Sequence, residues 1–166
     1  GFMQMCQNEY GMDDAALQDE TEFWKKYVAQ HIPGAYPGMN ELMCRHKAEG
    51  GYICVVSHSF DENIRRDYAE NGLLEPDLVF GWEQPPERRK PNPWPLEEIM
   101  RRLGLAPEEL LMIDDLKPGF DMAHSCGVDF AAAGWAYDVP QIEDFMRRNS
   151  DFYFKTVQEL ADFLGE

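Results

Sequence analysis

The stretch that decides the fold is Leu110-Leu111-Met112-Ile113-Asp114-Asp115-Leu116-Lys117-Pro118-Gly119. Its first four residues are apolar without a break, which predicts a strand buried on both faces. Two carboxylates follow at once, and Pro118 suits the first turn of a helix. A helix is expected from about Pro118 to Cys126, closed by Gly127, with another strand at about 128–132. An apolar strand, an acidic turn and a helix make up most of a βαβ unit, whose strands run parallel.

The same alternation extends outward. Toward the N-terminus, Tyr52-Ile53-Cys54-Val55-Val56 and Leu78-Val79-Phe80 are short apolar runs that predict two more strands. Ser59 with Glu62 forms a capping-box pattern for a helix stopping near Gly72. Leu96, Ile99, Met100 and Leu103 stripe a helix that Pro95 starts and Gly104 ends. Met39, Leu42, Met43 and His46 recur at helical spacing before Gly50, and residues 13–30 also read as a helix, with Phe23, Trp24, Tyr27 and Val28 on one side. Toward the C-terminus, Phe152-Tyr153-Phe154 fits a buried edge strand or an interface, the strand being the better reading. Thr156 with Glu159 repeats the capping pattern ahead of Val157, Leu160, Ala161 and Leu164. The fold class expected is therefore α/β, a Rossmann-type parallel sheet with helices on both faces. Pro33, Gly34, Pro37 and Gly38 mark a break, which divides the chain into residues 1–33 and 34–166.

Ligands in parallel sheets sit beyond the carboxyl ends of the strands. The residues there are Ser57, the loop running to Lys90-Pro91-Asn92-Pro93, and Asp114-Asp115. A serine hydroxyl donates to an anionic oxygen, a lysine ammonium neutralises phosphate, and paired carboxylates attract a hard cation such as Mg²⁺. Each alone has a plainer reading: Ser57 as a turn residue, Lys90 as a solvated lysine, Asp114-Asp115 as helix-start caps. Their shared position after successive strands is what makes phosphoryl chemistry the better reading. His58, beside Ser57, could face substrate, but with no partner visible in the sequence it reads rather as a bystander; Trp94 reads as packing rather than recognition.

Composition narrows the classes. Hydrophobic residues at 44% and charged residues at 28% suit a globular chain rather than a disordered one. A net charge of -16, with 31 acidic and 15 basic residues, disfavours nucleic acid as a partner. No apolar run nears the roughly 20 residues of a membrane span. Cys6, Cys44, Cys54 and Cys126 form no C-x-x-C pair, and a reducing cytoplasm is the expected home. Oligomeric state is not legible.

With these residues in place, the chain resembles the haloacid dehalogenase (HAD) superfamily of hydrolases, in particular its phosphoglycolate-phosphatase-like and β-phosphoglucomutase-like members. Ile53-Cys54-Val55-Val56-Ser57 resembles motif II, Lys90-Pro91-Asn92-Pro93 resembles motif III, and Leu111 to Gly119, continuing to Ala123 and Gly127-Val128, resembles motif IV. Leu116 stands where the pattern usually has a small polar residue. The resemblance implies that Ser57 binds the transferring phosphoryl group and that Lys90 binds it and stabilises the transition state. It further implies that Asp115 ligates Mg²⁺ directly and that Asp114 assists. The implied substrate is a small phosphate ester.

The family's motif I, a strand ending in D-x-D, carries the nucleophilic aspartate and a general acid–base. Gln18-Asp19-Glu20-Thr21 is the nearest literal match, and it lies in a helical stretch rather than after an apolar strand. Motif I is thus expected to be absent, residues 1–33 to be the remnant of a helical cap, and the chain as given to be inactive. A truncated chain, a strand supplied by another chain and a rearranged sheet remain open explanations. A phosphomutase and a non-catalytic or partner-completed phosphate-binding protein are the alternatives; a receiver domain is disfavoured by the order Ser57, Lys90, Asp114-Asp115.

Overall fold

The computed structural model describes the backbone of residues 2–165 and the side chains of residues 6–165. It divides into two compact units, Gly1–Gly34 and Ala35–Glu166. The first holds helices α1 (Phe2–Tyr10) and α2 (Asp14–Gln30). Asp13 caps α2, its carboxylate accepting from the Ala16 amide at 2.9 Å. Helix α1 is an element that the sequence reading does not include. Residues 19–21 lie inside α2, where the Thr21 hydroxyl donates to the Leu17 carbonyl at 2.8 Å. They therefore end no strand.

The second unit alternates strands and helices. In order these are α3 (Met39–Ala48), β1 (Cys54–Val56), α4 (Asp61–Glu70), β2 (Leu78–Phe80), α5 (Trp94–Leu103), β3 (Leu111–Asp114), α6 (Lys117–Cys126), β4 (Asp129–Ala133), α7 (Pro140–Asn149), β5 (Phe152–Phe154) and α8 (Val157–Leu164). All pairings are parallel, as the apolar strands predict, but they fall into two sheets. One is β1–β2 and the other is β3–β4–β5.

Both faces of the three-stranded sheet are covered because its side chains alternate. Met112, Phe130 and Ala132 join a cluster with Leu96 and Ile99 of α5, Met122 of α6 and Met146 of α7. Leu111 points the other way, against Leu42 of α3 and Val157 and Leu160 of α8. Phe130 and Leu160 are completely buried, and each such side chain contributes roughly 2–3 kcal/mol. Gly104 and Gly127 close α5 and α6 at φ 70° and 69°, left-handed conformations that β-carbons disfavour.

Strand β1 is shorter than the apolar run 52–56. Asp77 explains its start: its carboxylate takes the Ile53 amide at 2.8 Å, where a strand neighbour would otherwise supply a carbonyl. Strand β3 begins and ends one residue later than expected, so Asp114 is its last residue and pairs with Ala132. Helix α7 was missed, although Ile142, Phe145 and Met146 have helical spacing. Among the described residues, no helix is long and apolar enough to cross a membrane.

Candidate functional site

At the end of β1 the Ser57 amide donates to the Phe80 carbonyl at 3.0 Å, extending the ladder by one bond. The Ser57 hydroxyl oxygen accepts from the Ser59 amide at 3.0 Å, a tight turn that leaves its own proton for donation elsewhere. The capping box expected of Ser59 and Glu62 does not form. Phe60 occupies the N-cap without a side-chain bond, and the carboxylate of Glu83 reaches across from the loop after β2 to accept the Asp61 amide at 3.0–3.1 Å. A longer-range acceptor has displaced the local one.

The loops after β1 and β2 are packed tightly. A β-carbon on Gly81 would lie 2.1 Å from Asp61 Oδ1 and 2.7 Å from the Ser59 carbonyl oxygen, so only glycine fits. Trp82 donates its amide to that same Ser59 carbonyl at 2.8 Å. Burial, followed by the charge and hydrogen bonding of Glu83, pushes the Asp61 carboxyl up. Its Oδ1 is buried with no hydrogen-bond partner.

Lys90 lies on the loop between β2 and α5, just beyond a short 3-10 turn at Pro86–Arg88. Its ammonium meets Asp114 Oδ2 at 2.6 Å, and the two side chains are only 13% and 6% exposed. This ion pair joins the two sheets, with the loop after β2 on one side and the end of β3 on the other. The other oxygen of Asp114 accepts the amides of Asp115 at 2.7 Å and Leu116 at 3.0 Å. The plainer capping reading and the charged-site reading of Asp114 therefore hold together: one oxygen shapes the turn into α6 and the other holds Lys90. A β-carbon on Gly119 would come within 2.4 Å of Asp114 Oδ2, so the first turn of α6 packs directly on the carboxylate. Leu116, which replaces the expected small polar residue, is 46% exposed and supplies no side-chain cap.

Asp115 is the neighbour left less committed. Burial first, then hydrogen bonding and charge from Asp114, push its carboxyl up, and the Lys90 charge only partly offsets them. Tyr137, on the loop after β4, has a buried hydroxyl without a partner, and burial together with Tyr153 and Asp115 pushes its phenol up to about 12. An aromatic residue in a loop carries no spacing signal, so the sequence does not single out Tyr137. His58, which reads from the sequence as a bystander, has its Nε2 3.0 Å from the Lys90 carbonyl oxygen. That acceptor is backbone and leaves no mark in the sequence. Trp94 is packing, as expected, edge-on to Phe80 at 5.5 Å.

The chemistry-bearing residues singled out from the sequence are thus connected through contacts. Lys90 joins Asp114 directly, Asp115 follows it, and His58 ties the Ser57 turn to Lys90. Among the described residues, no group of three or more His, Cys, Asp or Glu is placed to hold a metal.

Comparison with known proteins identifies the family. The family of haloacid dehalogenase-like hydrolases matches residues 3–133. Pyrophosphatase PpaX of Halalkalibacterium halodurans is 25% identical over 158 residues, covering 93% of this chain and 72% of that protein. A phosphoglycolate phosphatase of Haemophilus influenzae is 24% identical, covering 92% and 69%. Among solved structures, a "predicted phosphoglycolate phosphatase" from Haemophilus somnus superposes with a TM-score of 0.76 at 20% identity, covering 93% of this chain and 68% of that one. A parallel α/β fold, a lysine–aspartate pair at the strand ends and a match over most of the chain lead to one assignment: the chain belongs to the haloacid dehalogenase-like hydrolase family.

Proposed function

We propose that this chain is the larger part of a Mg²⁺-dependent phosphatase acting on a small organic phosphate monoester. The observation that carries the reading is the Lys90–Asp114 pair, a shielded ammonium held where strand ends converge and next to a second carboxylate. Relatives described as phosphoglycolate phosphatases and a pyrophosphatase support it.

In this reading Ser57 donates its hydroxyl proton to a phosphoryl oxygen. Lys90 lies against the same group and stabilises the charge that grows in the transition state; fixed charge in a shielded site is worth far more than in water. Asp114 keeps Lys90 in place. The donor set fits Mg²⁺, which retains several waters and takes only one or two carboxylates. Asp115 would be the direct ligand and Asp114, already engaged by Lys90 and two amides, the lesser one. When bound, the ion neutralises phosphoryl charge and orients the group for in-line attack.

The nucleophile is assigned to an aspartate outside residues 1–166, on a strand seated between β1 and β3. Among the described residues β1 pairs only with β2 and β3 only with β4, so each has an edge to offer. The phosphoryl group would pass from the ester oxygen to that carboxylate, the alcohol leaving with a proton, and water would then release phosphate. Residues 1–33 are assigned to a helical cap. The test is hydrolysis of an aryl phosphate with Mg²⁺ by this chain and by the reading frame extended upstream. Little turnover by the first, and turnover by the second that Asp115→Ala abolishes, is expected. Robust turnover by this chain that Asp19→Asn abolishes would overturn the assignment.

A further inference from the structure

His58 follows directly on Ser57, so one backbone turn presents both the Ser57 hydroxyl and the His58 ring. The His58 Nε2 lies 3.0 Å from the Lys90 carbonyl oxygen. A carbonyl only accepts, so Nε2 carries the hydrogen of this bond. The residue after Lys90 is Pro91, which has no N–H, and the adjoining bonds of the loop stop short of Lys90: the Arg89 amide reaches Pro86 and the Asn92 amide reaches the Arg89 carbonyl. The ring is also fixed from the side. Trp82 meets it at 6.1 Å between centroids and 88° between planes, an edge-to-face contact, while the Arg89 guanidinium covers Trp82 at 3.9 Å. Trp82 in turn is tied by its amide to Ser59, two residues beyond Ser57.

We propose that His58 is a positioning residue for Lys90: by holding the Lys90 carbonyl it sets where the ammonium lies relative to the Ser57 hydroxyl and Asp114. Lys90 has four side-chain carbons between backbone and charge, so a backbone that wanders spreads the ammonium over a volume rather than a point. Anchoring the carbonyl from the serine turn makes the two phosphate-binding groups move as one body. The inference rests on the phosphate-binding reading of Ser57 and Lys90.

The experiment compares this chain with His58→Phe, His58→Ala and His58→Gln, after circular dichroism has established that each is folded. Glutamine places an N–H near the position of histidine Nε2; phenylalanine keeps the ring and the Trp82 contact but donates nothing. Two readouts are taken, the ¹⁵N-lysine ammonium resonance of Lys90 and the affinity for inorganic phosphate with Mg²⁺. In the unaltered chain the ammonium signal is expected to be distinct and slow to exchange. His58→Phe and His58→Ala should broaden it and weaken phosphate by about threefold to tenfold, the range of one net hydrogen bond. His58→Gln should restore both. An unchanged Lys90 signal in His58→Phe, or no recovery in His58→Gln, overturns the proposal even if phosphate binds. A Lys90 signal that responds and recovers upholds the positioning role even if no variant binds phosphate, in which case the phosphate reading alone fails.

Discussion

Strands β1 and β4 are both short and largely apolar, and they have different fates. Phe130, Ala131 and Ala132 of β4 are fully buried, and β4 pairs on both edges. Strand β1 is half-buried along its length and pairs only with β2 among the described residues. A two-stranded pair buries less than a three-stranded sheet with helices on both faces, yet Phe80 of β2 is buried in the same core as Met112 and Phe130, with Cys54, Val56 and Leu78 packed against it. The two-stranded pair presents Ser57 and, through its following loop, Lys90, and depends on specific polar contacts to stay in register. The Lys90–Asp114 pair adds a polar fastening between the two sheets beside their shared apolar core.

Breaking that fastening should have the largest effect. Lys90→Met leaves Asp114, at 6% exposure, without its cation. Losing one partner of a buried pair costs about 3–5 kcal/mol. The cost should fall toward the lower end because two backbone amides still serve the carboxylate. Chemical denaturation should show this loss, and Lys90→Met with Asp114→Asn should recover most of it by removing the stranded charge.

Two of the glycines that admit close approach sharpen the comparison. Gly119→Ala, on the three-stranded side, would drive a methyl group into Asp114 Oδ2, and Gly81→Ala, on the two-stranded side, into Asp61 Oδ1 and the Ser59 carbonyl. Overpacking of this kind costs about 1–3 kcal/mol. Thermal melts should show both losses. Only Gly119→Ala should perturb the Lys90–Asp114 pair, visible as a shifted Lys90 ammonium resonance.

The smallest effect concerns the start of β1. Burial pushes the Asp77 carboxyl up, but the Ile53 amide and the Lys47 ammonium at 2.6 Å more than reverse this and hold it below the usual carboxylate range. A folded-state value below the unfolded one means the stabilisation is complete above the unfolded pKa, about 3.9, and is lost as pH falls through the depressed value. Asp77→Asn should therefore lower the melting temperature slightly at neutral pH, and the difference should vanish in acid. A difference that grows on acidification would contradict the sign.

Much of this was legible in the sequence because period and punctuation are local. The apolar runs gave the strands, Gly104 and Gly127 gave the helix ends, and the placement of Ser57, Lys90 and Asp114-Asp115 after strands marked the candidate site. What stayed hidden was non-local. Glu83 caps α4 from 22 residues beyond Asp61, displacing the Ser59–Glu62 pattern that sequence favours. The Thr156 pattern, with no such competitor, forms as far as its hydroxyl, which accepts the Glu159 amide at 3.1 Å. His58 was read as a bystander because its partner is a carbonyl. The split into two sheets was also unreadable, because strand composition does not say which neighbour a strand finds.

The central claim is that residues on both sides of the divide act on one anion, and amide chemical-shift mapping tests it directly. Inorganic phosphate with Mg²⁺ is titrated into this chain while the resonances of Ser57, Lys90 and Asp115 are followed. The account predicts that all three shift with one common dissociation constant while Leu42 and Leu160, on the far face, stay still. Shifts confined to one sheet, or different constants for Ser57 and Asp115, would contradict it.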